Sequence, residues 1–382
     1  MNRRRWCQKG AAFVVKLTRF LLMTSYSAAL LLLPIASFGN DLLPLIVGSD
    51  AEAQADAFTA PLANANGEIV LLKLKETQPK NQLLLRFITK EKRVVDRFYS
   101  LNELSLRSIS MPVAVGGDAY ALAAISSDRS VHLVILRADG TVAAGNPLVR
   151  QSQFAGVAVV GPIVYIFGGT DTGAFIALFE SLSQKITVQK DFGDLIAISS
   201  VQQVSENELV AYGWTATKAN VSGRLIKLDK SLRDTLLQRE LRCGVGFLVY
   251  SADKLWLPCP AFSVVGKYGT IVYSYDRDLQ QIGSLPFVSV GVGSIAQHVF
   301  VRQDSSFLIA GVNSAAHAVL WSISSTGAIL KVYEHFSIFT PLTADAFTAL
   351  EHGNSVFFSA GNRLAAFGMF PPTRINVLHA DK

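Results

Sequence analysis

The first 39 residues contain no acidic residue, although the whole chain carries 29 Asp and Glu. Six of the 35 basic residues lie in that leader, namely Arg3, Arg4, Arg5, Lys9, Lys16 and Arg19. The remaining 343 residues hold 29 charges of each sign, so the formal charge of +6 belongs to the leader alone. A basic field able to attract a phosphate backbone is therefore missing from the bulk of the chain, which excludes a nucleic-acid reader on charge. Only 17% of residues are charged and 50% are apolar, which excludes a disordered chain. Methionine is scarce, with four residues, against 28 Gly and 23 Phe, a balance that leans towards strands.

Cysteine is scarcer still. Cys7 lies in the leader, and Cys243 and Cys259 are the other two. Two thiols without a neighbouring His pair cannot make a four-ligand zinc site. Pairing back from a turn at Ser251–Lys254 would set Cys243 opposite residue 262 and not 259. A bulge or diagonal contact could still join them, so a disulfide and two buried thiols both stay open.

Phe20 to Asn40 carries no charge and contains Ala28–Leu33, ended by Pro34. Basic residues, an apolar core and the small residues around Ser37–Gly39 read as a secretory signal peptide over 1–39. Ala53-Gln54-Ala55 offers a later cleavage point, with 40–56 as linker. The alternative is an uncleaved anchor, since 21 uncharged residues can just span a bilayer. Both readings export the rest of the chain, to the periplasm or beyond.

The exported part repeats. Glu208–Gly213, a loop, then Arg224–Asp229, a turn and a stretch ending at Leu241 form one frame. The same frame holds Ser306–Gly311, Ala318–Ile323 and a stretch ending at Phe336, and again Ile163–Gly168, Ala174–Leu178 and a stretch ending at Phe192. It fits Glu68 to Phe98, Ala119 to Leu148 and Lys254 to Phe287, with a shortened copy from Val356 to Phe370. The closing residues Phe98, Leu148, Phe192, Leu241, Phe287 and Phe336 are spaced 50, 44, 49, 46 and 49 apart. A further apolar run, such as Phe154–Val160 or Ile196–Val201, precedes most copies. Each unit thus has four short runs rich in Val, Ile, Phe and Tyr, too short for helices. Turn residues separate them, including Gly161-Pro162, Ser251–Asp253, Asp139-Gly140 and Asp276–Asp278.

Four strands per unit of about 47 residues, seven times over, predict an all-β chain folded as a seven-bladed β-propeller across 57–382. The last copy lacks a clear fourth run before Pro371-Pro372. Either Arg374–Leu378 supplies it or an N-terminal strand closes the ring. Leu308–Gly311, Leu225–Asp229, Ala138–Gly140 and Phe336 resemble the degenerate repeats of exported bacterial propellers, the delta-60 type among them. That resemblance spans 57–370 and implies a fold without a set activity. No Trp-Asp dipeptide marks a WD40 array, and the double glycine Gly168-Gly169 occurs in one unit only, unlike kelch.

Chemistry-bearing motifs are missing as well. There is no H-E-x-x-H, phosphate loop or G-x-S-x-G elbow. No Asp box and no quinone-docking Trp repeat is present. The six histidines show no metal-ligand spacing, His132 and His317 at the mouths of third strands included, so neither metal nor cofactor is expected. The longest connections within units, Trp214–Ser222 and Pro260–Tyr268, belong to adjacent copies. They bring Trp214, Lys218, Phe262, Lys267 and Tyr268 as candidate binding residues, because aromatics beside cations can hold a sugar or peptide. The alternative is that these aromatics pin their own loops. The functional expectation is a non-catalytic scaffold for a protein or glycan, with no nucleic-acid partner and membrane contact only through an uncleaved leader. An enzyme acting on sugars or lactones from a central funnel stays open, because such a site draws single residues from distant units. N-terminal sequencing of the protein from its native host should show a chain that starts between about residues 40 and 56, the span bounded by the two cleavage points. An intact Met1 on soluble protein would remove the export reading.

Overall fold

A computed structural model describes residues 62–368 apart from 64–65, 67, 76–81, 90–92, 102–103, 117–118, 146, 150, 181–184, 217–220, 244–245, 263–267, 285–294, 302–305, 313–317, 327, 336–346, 353–354 and 361–362. The leader, the linker and residues 369–382 lie outside the described residues. Every described element is a strand, and no described helix is long and apolar enough to cross a membrane.

The described strands form seven antiparallel sheets in chain order. The first holds Leu62–Ala63 (β1), Ile69–Lys75 (β2), Gln82–Ile88 (β3) and Val94–Ser100 (β4). The second holds Leu106–Ile109 (β5), Val113–Gly116 (β6), Ala119–Ser126 (β7), Val131–Leu136 (β8) and Val142–Ala144 (β9). The third holds Ser152–Val160 (β10), Ile163–Thr170 (β11), Gly173–Glu180 (β12) and Lys185–Phe192 (β13). The fourth holds Ala197–Gln203 (β14), Glu208–Ala216 (β15), Val221–Asp229 (β16) and Thr235–Leu241 (β17). The fifth holds Val249–Ser251 (β18), Lys254–Phe262 (β19), Tyr268–Tyr275 (β20) and Gln281–Ser284 (β21). The sixth holds Ile295–Val301 (β22), Phe307–Val312 (β23), Ala318–Ile323 (β24) and Ile329–His335 (β25). The seventh holds Phe347–His352 (β26), Ser355–Ala360 (β27) and Arg363–Gly368 (β28).

Within each sheet the strands pair in the order in which they occur. The second sheet departs only because its first strand is broken: β5 and β6 both pair with β7. Pro112 interrupts it, and Ser110 repairs the gap by accepting from the Ala123 amide at 2.9 Å.

Burial follows position in the sheet. Every residue of β8 is buried, and in β7 all but Ala119 are. A strand covered on both faces has no need of polar alternation, which is why these runs are continuously apolar. The fourth strands β4 and β17 are largely exposed. Apolar layers fill the spaces between successive sheets. Val70, Leu85 and Tyr99 meet Tyr120, Leu122 and Val134 between the first and second. Tyr165 and Ile176 meet Ile198, Leu209 and Ile226 between the third and fourth. Trp256 and Val272 meet Phe307 and Trp321 between the fifth and sixth. First strands are also neighbours of one another, β10 of β14, β14 of β18, β18 of β22 and β22 of β26. The sequence left open whether an N-terminal strand serves the last unit. The described N-terminal strand β1 pairs with β2 in the first sheet and lies beside β26 of the last.

Buried tyrosines tie sheet to sheet. Tyr99 donates to the Arg137 carbonyl at 3.0 Å, Tyr165 to that of Lys230 at 2.7 Å and Tyr212 to that of Cys243 at 3.0 Å. Burial pushes the Tyr99, Tyr165 and Tyr212 hydroxyls up, so they stay protonated donors. Gly223 makes room for one of them, since a Cβ there would collide with the Tyr212 ring and hydroxyl.

The third-to-fourth turns share one backbone. In Asp229–Leu232 and Asp276–Leu279 the fourth residue donates its amide to the first carbonyl and takes a positive φ, 61° at Leu232 and 58° at Leu279. Gly140 takes that position in the second sheet at 86°. Leucine there costs on the order of 1 kcal/mol of backbone strain, and full burial of its side chain outweighs it. Ala252 and Asp253, both at positive φ, make the two-residue turn between β18 and β19.

Cys243 and Cys259 are joined by a disulfide, with Cα atoms 5.4 Å apart. Simple hairpin pairing would not bring them together. The first strand of that sheet stops early: β18 pairs β19 only from Lys254 to Trp256. Pro258 and Pro260 follow in β19 and have no amide hydrogen to offer a partner on that side. The incoming chain therefore leaves the ladder, and Gly246 sits against the Pro258 carbonyl. That detour supplies the slack that brings Cys243 to Cys259, and both are buried. Replacing both cysteines by serine opens a loop with a sequence separation of 16. It should lower the unfolding free energy by about 3 kcal/mol in denaturant titration, in the chain-entropy account. An unchanged midpoint would show that the bond carries no stability.

Candidate functional site

The sheets share one end, where second strands pass to third strands and each first strand begins. Four first strands carry a β-bulge near that end. The extra residues are Arg107 in β5, Gln153 in β10, Ser199 in β14 and Gln297 in β22. A bulge re-aims side chains and ends regular pairing, so this edge presents irregular, addressable positions. Ser199 donates to the Gly246 carbonyl at 2.6 Å and so binds the fourth sheet to the segment leading into the fifth.

Between the second and third sheets the bulge joins a charged clamp. Arg129, at the tip between β7 and β8 with φ 67°, donates to both carboxylate oxygens of Asp171, at 2.7 and 3.1 Å. Gln153 donates to the same carboxylate at 2.7 Å. The Arg129 fork, and then the Gln153 amide, hold the Asp171 carboxyl below its usual range. Arg129 also reaches the carbonyls of Gln151 and Ser152.

Beside it the turn Ser126–Ser130 is built on Asp128. Its carboxylate accepts from the Ser126 hydroxyl, from the Ser130 amide at 3.1 Å and from the Ser130 hydroxyl at 2.9 Å. These bonds, the Ser126 hydroxyl first, lower its pKa to about 2. His132, in β8, is buried. Its Nε2 lies 3.2 Å from the Ser126 hydroxyl and its Nδ1 3.2 Å from the Gly145 carbonyl. Both ring nitrogens are engaged with protein groups. Among the described residues no group of three or more His, Cys, Asp or Glu could hold a metal ion.

Apolar side chains stand exposed beside this polar frame. Phe154 is 44% exposed and Ile196 is 40% exposed. Gly169 sets them close together. It is the Cα partner of Phe154, and a Cβ on it would strike the Ile196 carbonyl. Gly168 is equally confined, against the Phe154 carbonyl. The double glycine thus serves close approach between the third and fourth sheets. The Ile196 amide donates to the Trp214 carbonyl at 2.9 Å, so the half-buried Trp214 is the next strand across.

Trp214 stands inside β15 and not in a loop. That strand runs to Ala216 and β16 starts at Val221, so the connection is four residues, 217–220. Phe262 and Tyr268 are Cα partners that close β19 and β20, leaving 263–267 as the connection. The apparent long loops are long hairpin arms, because Thr, Val and Gly at their ends pair as well as bend. Trp214 and the Phe262–Tyr268 pair thus occupy the same end of adjacent sheets. Lys218 and Lys267 lie outside the described residues. Sequence reasoning missed Phe154, Ile196, Gln153 and the Arg129–Asp171 clamp. The Ser-Asp-Arg-Ser run at 127–130 was a legible turn signal, whereas the bulges leave no mark in composition.

No family model matches the chain, and no curated protein does. Solved structures do. A virginiamycin B lyase from Staphylococcus aureus is 10% identical, over 86% of this chain and 99% of that one, with a TM-score of 0.57. A chain of a mitotic checkpoint complex is 9% identical, over 90% and 97%, at 0.56. The C-terminal WD40 domain of Sif2 is 9% identical, over 83% and 97%, at 0.52. The chain has a β-propeller fold. At these identities the likeness shows the fold alone, and it covers enzymes and scaffolds equally.

The pH dependence of the clamp end follows from its carboxylates. A depressed carboxyl pKa adds stability above its unfolded value, and that contribution is lost as pH falls through the folded value. Carboxyl carbon NMR should therefore show Asp128 ionised from neutral pH down to about 2, against an ordinary value of 3.8. Ser126→Ala should move the midpoint up towards the ordinary value. A wild-type midpoint near the ordinary value would disprove the turn network.

Proposed function

We propose that this chain is an exported, seven-bladed β-propeller that binds a protein or glycan at the end carrying Phe154, Ile196 and Trp214. The observation that carries this reading is the pairing of two features at one place. Two carboxylates there are committed to neighbouring side chains: Asp171 to Arg129 and Gln153, Asp128 to Ser126 and Ser130. Beside them two large apolar side chains stay in water. A carboxyl that serves as general acid or base must change its charge near neutral pH, and these two are held ionised. A binding surface needs a rigid polar frame around an apolar centre, which is what these groups form.

Seven sheets in chain order, first strands that neighbour one another and β1 beside β26 support a ring of seven blades. The Cys243–Cys259 bond supports an oxidising compartment and so an exported chain. A protein partner has an analogy in the checkpoint-complex chain, which works in an assembly by its description.

The experiment is affinity capture from an envelope extract with the wild-type chain, followed by titration of the captured partner against Phe154→Ala and Trp214→Ala. Each truncation should weaken binding by about 1–3 kcal/mol, or roughly five- to 150-fold. Phe154→Ala should leave the melting temperature nearly unchanged, because its side chain is already half in water. Intact binding with a lowered melting temperature would make these residues structural and would overturn the site.

A further inference from the structure

The repeat supplies its own internal comparison at the opposite end of the sheets, where third strands turn into fourth strands. Between the fourth and fifth sheets that slot is filled by charge. Lys227 reaches Glu208 of its own sheet and Asp278 of the next, each at 3.1 Å. Beside it Arg277 pairs with Asp253 at 2.6 Å.

The slot between the third and fourth sheets has the same backbone. The bulge at Leu178/Phe179 matches that at Lys227/Leu228, so Leu178 stands where Lys227 does. Ile163 opens β11 as Glu208 opens β15. Ser231 holds the place of Asp278 in the equivalent turn. Asn207 precedes β15 as Asp253 precedes β19, and Lys230 takes the place of Arg277. All three carboxylates of one slot are thus neutral residues in the other, while the cation at the turn is kept.

The result is an open-sided cavity of about 500 Å³. One wall is Ile163, Leu178 and Val188, and the other carries Lys230, Ser231 and Arg233. Lys190 adds charge behind that wall by donating to the Leu232 and Arg233 carbonyls, at 3.3 and 3.1 Å. The one carboxylate in the lining, Asp229, accepts from the Ser231 and Asp234 amides and the Ser231 hydroxyl of its own turn. Its oxygens are therefore committed to holding the turn, and the Lys190 cation nearby offsets its charge.

We propose that this cavity binds a small amphiphilic anion, with its acid group at Lys230 and Arg233 and its apolar part against Ile163, Leu178 and Val188. A carboxylate or phosphate monoester on a short alkyl or aryl group has that chemistry. The volume falls in the range of small-molecule pockets, and an apolar wall with a few convergent polar groups is their usual construction. The ligand supplies the negative charge that Asp253, Asp278 and Glu208 supply in the next slot.

Octanoate is the probe, titrated into the full chain and followed by methyl NMR of Ile163, Leu178 and Val188, with 1-octanol and inorganic phosphate as controls. Saturable shifts with octanoate are expected, at least tenfold weaker in Lys230→Gln/Arg233→Gln. Transplanting the neighbouring network with Ile163→Glu, Leu178→Lys and Ser231→Asp should abolish them. If that triple variant fails to fold, Val188→Trp fills the cavity and should do the same. Absence of saturable shifts overturns the site. So does equal binding of 1-octanol, which would leave an apolar void, or of phosphate alone, which would leave a charged surface. Phe154→Ala leaves octanoate binding unchanged, so this result is independent of the proposed partner face.

Discussion

A four-stranded sheet with two apolar faces cannot fold alone, and the structure follows from that one constraint. Each middle strand is buried on both sides, so each sheet is stable only between two others. The apolar layers between sheets are where the chain spends its Val, Ile, Leu and Phe. The tyrosine hydroxyls of Tyr99, Tyr165 and Tyr212 then fix how one sheet sits on the next. Each such bond contributes about 1 kcal/mol, small beside the burial it accompanies. Its value is directional, because an apolar layer alone would let two flat sheets slide.

The same constraint decides where variation is allowed. Second and third strands cannot accept polar side chains without a partner. Buried polar side chains there are matched: Lys227 by Glu208 and Asp278, His132 by Ser126 and the Gly145 carbonyl. Sheet ends and first-strand bulges carry no such restriction, and there the units differ most. Arg129–Asp171 occurs at one junction and the Asp128 turn at one hairpin. A disulfide ties the segment entering the fifth sheet to its second strand. Function in such a molecule has to be sought in departures from the repeat.

This division explains what the amino-acid order revealed. Strand number, order and turns were legible because they rest on local rules. The period of about 47 residues appears as sheets, and Asp139-Gly140 and Ser251–Asp253 turn as their residue types require. Trp214 and Tyr268 were picked out as loop residues, yet both lie in strands, because hairpin arms lengthen without any change in composition. The Cys243–Cys259 distance depended on two prolines in β19 beyond Trp256, where the ladder to β18 ends, which pairing arithmetic does not contain. Phe154 and Ile196 were counted as strand residues. Their exposure arises from a bulge and from two glycines that let a neighbouring backbone come close. Those are facts of three dimensions and not of pattern.

The two equivalent slots show how far stability dictates such departures. An ion network such as Glu208–Lys227–Asp278, with Lys227 buried but Asp278 largely in water, gains little over packed apolar side chains, because solvent screens the outer pair and burial of the lysine costs solvation. Stability alone would therefore favour filling the matching slot with larger apolar groups. Instead Ile163, Leu178 and Val188 stop short and leave space beside two cations. The slot is open to solvent, so Ile163 and Val188 stay partly in water where their neighbours in the next slot are closed over by ion pairs. The repeat shows that an ionic closure was within reach of the same backbone, so what opens the slot is the choice of side chains at Ile163, Leu178, Asn207 and Ser231 and not the path of the chain.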